Sequence, residues 1–106
     1  MARLKRGEVR CYQLARPDRK RPVVILSRGS TLDYPSETTI APITRAVRGI
    51  PSEVALDGDD GLPEPCAVNL DHLQTVARSR LDGLITTLSS RRMGEIREAL
   101  FFALGF

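Results

Sequence analysis

The segment Pro22-Val23-Val24-Ile25-Leu26 is apolar at every position and rich in β-branched side chains. Side chains along a strand point alternately to opposite faces of a sheet, so a half-buried strand alternates polar with apolar. A strand without a polar face is one buried on both sides. With 106 residues the chain buries roughly two-thirds of the surface its unfolded form exposes, enough for one core and one domain. Five aromatics and no Trp leave that core to Val, Ile and Leu.

Shorter runs on either side read the same way. Val9 to Leu14 predicts a first strand, and Ala15 to Lys20, holding Pro17 and Asp18, a turn. Ser27 to Glu37 contains Gly29, Asp33 and Pro35 and reads as a longer loop. Thr38 to Thr44 predicts a third strand, in which Pro42 lacks an N–H and implies an edge position or a bulge. Ser52 to Leu56 and Cys66 to Leu70 predict two more, and Gln74 to Val76 continues the sheet.

Ser89 is a cap for a closing helix, along which Met93, Ile96, Leu100 and Leu104 form an apolar stripe. Gly105 suits the position after its end. The expected architecture is mainly β with a C-terminal helix, a small curled sheet closed by that helix. The stripe and the paired Phe101 and Phe102 also offer a surface for another subunit.

Several chemistries are excluded. Cys11, Cys66 and His72 are the only Cys and His residues, too few and too scattered for a zinc site. They read as structural, the thiols buried in a reducing compartment. Asp57-Gly58-Asp59-Asp60-Gly61 is a turn signal, and a calcium loop starting at Asp57 would need Glu at the position that Val68 occupies. No apolar run approaches a membrane span. The charged start (Arg3, Lys5, Arg6) lacks the apolar stretch of a signal peptide, so the expected location is cytoplasmic.

The net charge of +3 is unevenly spread. Residues 1–28 carry nine Lys or Arg against two acids, whereas residues 29–77 carry two against eight. A basic first quarter suits a polyanion, and the acidic middle argues against coating by nucleic acid on every side.

Within that basic quarter Arg21 stands before Pro22, which biases it toward an extended conformation at a strand end. Thr44 ends the third strand. A planar guanidinium and a hydroxyl, each on a short strand, form a plausible phosphate cradle.

These elements occur in a telling order. Arg6-Gly7-Glu8-Val9 precedes Arg21-Pro22-Val23-Val24-Ile25-Leu26, followed by Pro42-Ile43-Thr44 and Pro51-Ser52-Glu53-Val54. Gly61-Leu62, Cys66-Ala67-Val68-Asn69-Leu70-Asp71, Gln74-Thr75-Val76, Leu88-Ser89 and Met93 with its helix complete the series. Over nearly its whole length the chain resembles the MazF/PemK family of toxin components, which includes Kid. The resemblance implies a single-domain SH3-like β-barrel with a C-terminal helix, assembled as a homodimer. It also implies a metal-independent, cofactor-free endoribonuclease that cuts single-stranded RNA at short sequence motifs. A cognate antitoxin with an extended acidic tail would hold it inactive.

The family's arginine and threonine fall on Arg21 and Thr44, the candidate catalytic pair. Lys20, Arg45, Arg48, Asn69 and Asp71 are the candidate RNA contacts; Asp71 matches an acidic family position, and Asn69 stands where Kid has arginine. Two departures are the short segment Ala15 to Lys20, where many relatives have a longer glycine-rich loop, and the lack of a histidine near it. The alternatives are a CcdB-like gyrase-binding toxin, acting through Ala103 to Phe106, and an RNA-binding module that does not cut.

Overall fold

The structure, a computed structural model, describes residues 4–13, 20–28 and 36–106. The predicted turn from Ala15 and most of the loop with Gly29, Asp33 and Pro35 lie outside the described residues, as do Arg3 and Leu14. Among the described residues seven strands and one α-helix follow in order: β1 (Glu8–Gln13), β2 (Lys20–Ile25), β3 (Glu37–Thr44), β4 (Glu53–Leu56), β5 (Cys66–Asn69), β6 (Gln74–Ala77), β7 (Leu81–Thr87) and α1 (Ser90–Leu104). The sheet runs β4-β5-β3-β2-β1-β7, with β6 also paired to β3. Every pairing is antiparallel. The mainly β architecture with a C-terminal helix is as expected. Among the described residues no ladder joins β4 to β7, so the sheet stays open rather than closing into a barrel.

β2 is buried on both faces, as its composition requires. Val24 packs with Val9, Ala41, Val68 and Ile96 in one core cluster. Val23 and Ile25 pack with Leu4, Ile40 and Val76 in another. Pro42 occupies neither an edge strand nor a bulge. One side of β3 pairs with β2, and the other is shared by β6, up to Ile40, and β5, from Ile43. Pro42 falls in the gap between those partners, where a missing donor interrupts neither ladder.

β7 is an additional strand beside β1, and its pairing is irregular on both sides of Arg10. Helix α1 begins where the Ser89 hydroxyl accepts the Arg92 N–H at 3.1 Å. It ends at Gly105, whose φ of 80° is left-handed. Ile96 and Ala99 are buried in the first cluster, with Met93, Leu100 and Ala103 packed against it. Leu104 leaves the predicted stripe and is 54% exposed.

The acidic turn Gly58–Asp60 ties the sheet to α1. Asp57 accepts the Asp59 N–H, and Asp60 accepts the Asp57 N–H, both at 2.9 Å. Asp60 also accepts from Arg92 Nε at 2.9 Å, while Arg92 Nη1 reaches Glu95. Burial pushes the Asp60 carboxyl up, but the Arg92 and Asp57 donors outweigh it and leave the group below its usual value.

Gly61 follows this turn with φ of 90°, and a Cβ there would run into the Thr86 hydroxyl and lie 2.8 Å from Thr86 Cβ. Gly61→Ala is therefore expected to cost roughly 2–4 kcal/mol in urea unfolding, from left-handed strain plus the clash. Gly58, three residues earlier, has open space around its Cα. Gly58→Ala is expected to stay within about 1 kcal/mol of the parent in the same assay.

Candidate active site

In the β2–β3 ladder Val23 lies opposite Pro42, Val24 opposite Ala41 and Ile25 opposite Ile40. Continued toward the start of β2 and the end of β3, that antiparallel register sets Arg21 across from Thr44. On the other side of β3, Ala67 of β5 pairs with Thr44. These strand ends wall a cleft of about 460 Å³ lined by Arg21, Thr44, Lys20 and Arg45. Ile43, Leu62 and the thiol of Cys66, all buried, also line it. The two predicted catalytic side chains thus share one open cleft, joined by two of the predicted RNA contacts.

The side chains differ in how free they are. Among the described residues nothing pairs with the Arg21 guanidinium, which is exposed. Thr44 Oγ1 accepts the Ala46 N–H at 3.0 Å. A hydroxyl that accepts from the backbone still has its own proton to donate. Lys20 Nζ donates to Asp82 Oδ2 at 3.1 Å, and that hydrogen bond holds the Asp82 carboxyl below its usual value. Arg45 Nη1 lies 3.3 and 3.2 Å from the two oxygens of Glu64, which also lines the cleft. That pair is solvent-exposed and contributes about 1 kcal/mol or less.

Arg48, Asn69 and Asp71 do not line this cleft. Asn69 is 7% exposed and its Oδ1 accepts the Asp71 N–H at 2.9 Å, capping the 3₁₀ turn Leu70–His72. Asp71 accepts the hydroxyl of buried Ser52. Asp71 and His72 share that turn, and both are exposed. Among the described residues no group of three or more His, Cys, Asp or Glu is placed to hold a metal ion.

Glu64 and Cys66 were not singled out from the sequence as cleft residues. The run before the fifth strand carries no local signal of its neighbours; only the pairing of β3 with β5 brings it beside Thr44. Burial pushes the Cys66 thiol up, and the negative charges of Asp60, Asp57 and Glu64 push it further. That keeps the sulfur protonated and unreactive.

A family model described as a PemK-like, MazF-like toxin of type II toxin-antitoxin systems matches residues 5–104. The chain belongs to this family. It is 40% identical over 96 residues to a probable endoribonuclease MazF5 of Mycobacterium tuberculosis, spanning 90% of this chain and 87% of that protein. It is 35% identical over 92 residues to the endoribonuclease MazF3 of the same species, spanning 87% and 89%. Among solved structures, the Mycobacterium tuberculosis toxin MazF-mt6 superposes with a TM-score of 0.85 at 33% identity, over 93% of this chain and 97% of that one. A mycobacterial endoribonuclease in complex with its cognate antitoxin gives 0.86 at 26% identity, over 97% and 96%.

Arg48 is engaged locally with Glu53. Its Nε donates to Glu53 Oε2 at 3.1 Å and its N–H to Oε1 at 2.9 Å, where Gly49 N–H adds a third bond at 3.2 Å. The Glu53 side chain is only 2% exposed. Burial pushes its carboxyl up, but these donors and the Arg48 charge prevail and hold it below the usual 4.5. A carboxyl that ionises more readily when folded contributes stability that is full above its unfolded value and is lost as pH falls through its folded one. Arg48→Ala is expected to lose roughly 1–2 kcal/mol in urea unfolding at neutral pH. The gap between the two proteins should narrow as pH is taken below 4.5, where the parent loses the same interaction.

Proposed function

We propose that the chain is an endoribonuclease toxin that cuts single-stranded RNA at the cleft between β2, β3 and β5. The observation that carries this reading is the convergence of exposed Arg21 and proton-bearing Thr44 on one open cleft. The endoribonuclease names of the mycobacterial relatives support it.

RNA brings its own nucleophile. The 2′-oxygen attacks the adjacent phosphorus, the bond to the 5′-oxygen breaks, and a 2′,3′-cyclic phosphate and a 5′-hydroxyl result. One proton leaves the 2′-oxygen and one reaches the departing 5′-oxygen. Between them the phosphorane carries extra negative charge on its non-bridging oxygens. Arg21 meets two of those oxygens with its planar fork, and Thr44 donates to one of them. Holding the phosphate between two fixed groups also keeps the attacking and leaving oxygens in line. Lys20 and Arg45 take flanking phosphates. Arg48, Asn69 and Asp71 serve this surface from outside the cleft, by bracing the segments around it.

The same cationic cleft is the target of a cognate antitoxin with an acidic tail, which competes with RNA for it. A relative solved in complex with its cognate antitoxin supports that partner. The chain works in the cytoplasm as a homodimer, for which exposed Phe102, Leu104 and Phe106 provide apolar surface.

Purified protein is expected to cut single-stranded RNA in excess chelator, leaving cyclic phosphate ends that mass spectrometry of the fragments identifies. Arg21→Ala should slow cutting by about a thousandfold and Thr44→Val by about a hundredfold, with circular dichroism unchanged. Full activity in Arg21→Ala would remove that residue from the mechanism. Intact RNA together with poisoned gyrase would point to a CcdB-like toxin, and tight RNA binding without cutting to a plain binding module.

A further inference from the structure

Among the described residues three cations, Lys20, Arg21 and Arg45, line the cleft, and one acid, Glu64, stands among them. A carboxylate only accepts hydrogen bonds and repels a phosphodiester, so Glu64 does not serve the RNA backbone. It suits a base edge. Single-stranded RNA is read largely through splayed bases, hydrogen-bonded along their Watson–Crick edges. Guanine alone presents two adjacent donors there, N1–H and the N2 amine, at the spacing of two carboxylate oxygens. Adenine and cytosine set one amine beside an acceptor nitrogen. Uracil sets one N–H between two carbonyls.

Glu64 is mounted for such a reading. Pro63 and Pro65 flank it and narrow its backbone freedom. Arg45 Nη1 approaches both of its oxygens, at 3.3 and 3.2 Å, and leaves lone pairs on each for a second partner. We propose that Glu64 selects a guanine beside the phosphodiester held by Arg21 and Thr44, with Arg45 orienting the carboxylate. This inference rests on the endoribonuclease reading and adds its base selectivity.

Binding and cutting separate the two. Short deoxyuridine strands, which lack the 2′-hydroxyl and cannot be cut, are made with one central guanine, inosine, adenine or cytosine. Inosine keeps N1–H and loses the N2 amine. By fluorescence anisotropy the parent should bind the guanine strand about tenfold more tightly than the inosine strand. Glu64→Ala and Glu64→Gln should bind the two alike, because an amide offers a donor where guanine requires an acceptor. Glu64 is exposed, so both variants are expected to keep the parent's circular dichroism.

On a randomised RNA pool, parent cuts should cluster beside guanine and Glu64→Ala cuts should spread. Equal affinity of the parent for guanine and inosine, or an inosine penalty that survives in both variants, overturns the proposal. So does a uniform loss of cutting in Glu64→Ala with base preference intact, which would make Glu64 a proton acceptor. Glu64-dependent guanine binding without any cutting retires the nuclease reading and keeps this one; cutting indifferent to guanine does the reverse.

Discussion

The antiparallel register of β2 against β3 is the constraint on which the site depends. Arg21 and Thr44 are remote in the chain, and only the pairing of Val23 with Pro42 brings their strand ends together. That register is held because β2 is packed on both faces. Shifting it by one residue would exchange Val24 with Val23 and Ile25 between two separate core clusters. Core packing on both sides of β2 therefore fixes the position of a guanidinium that itself takes no part in the core. Pro42 contributes at the same place. By sitting where β3 passes from β6 to β5, it lets one strand serve two partners, and the β5 side becomes a wall of the cleft.

Partners, rather than position in a charged run, sort the arginines. Arg92 is committed to Asp60 and Glu95, Arg48 to Glu53, and Arg10 to Glu8 at 2.9 Å in a largely buried pair. Losing one member of such a pair leaves a carboxylate with too few donors, so these arginines act on stability first. The ion pairs of Lys20 and Arg45 are exposed and easily exchanged for phosphate. Among the described residues Arg21 has no partner to give up. Along β2 and into the loop after β3, the side chains with least to lose by meeting an anion are the ones that face the cleft.

Much of this was legible in the sequence, for reasons that can be named. β2 was readable because burial on both faces leaves no polar position, and α1 because Ser89 and Gly105 mark its ends. β7 was not, because most of its residues are exposed and its pairing with β1 is irregular, so neither alternation nor a continuous apolar run marks it. Leu104 fits the helical period but lies in the last turn, beyond the surface that α1 covers. In the cleft, the places of Arg21 and Thr44 were readable because each stands at the end of a recognisable strand. Glu64 was invisible because its place in the cleft comes from the pairing of the following strand, β5, with β3. Arg48 looked like a phosphate contact by residue type alone, and its engagement with buried Glu53 is a tertiary fact.

The chemistry of the cleft also bears on which nucleic acid it suits. A protein that cuts DNA must supply or activate a nucleophile, since that backbone carries none. The thiol of Cys66 is held protonated by burial and by nearby carboxylates. Thr44 accepts a backbone N–H, and no histidine lines the cleft to activate its hydroxyl. Apart from the Glu64 carboxylate, which is engaged by Arg45, the lining residues offer positive charge and a hydroxyl proton, suited to stabilising a phosphorane rather than to supplying a nucleophile. Such a site needs a substrate with an internal nucleophile next to phosphorus. The ribose 2′-hydroxyl meets that need, so RNA fits the cleft as a reactant while a deoxy strand fits it only as a ligand.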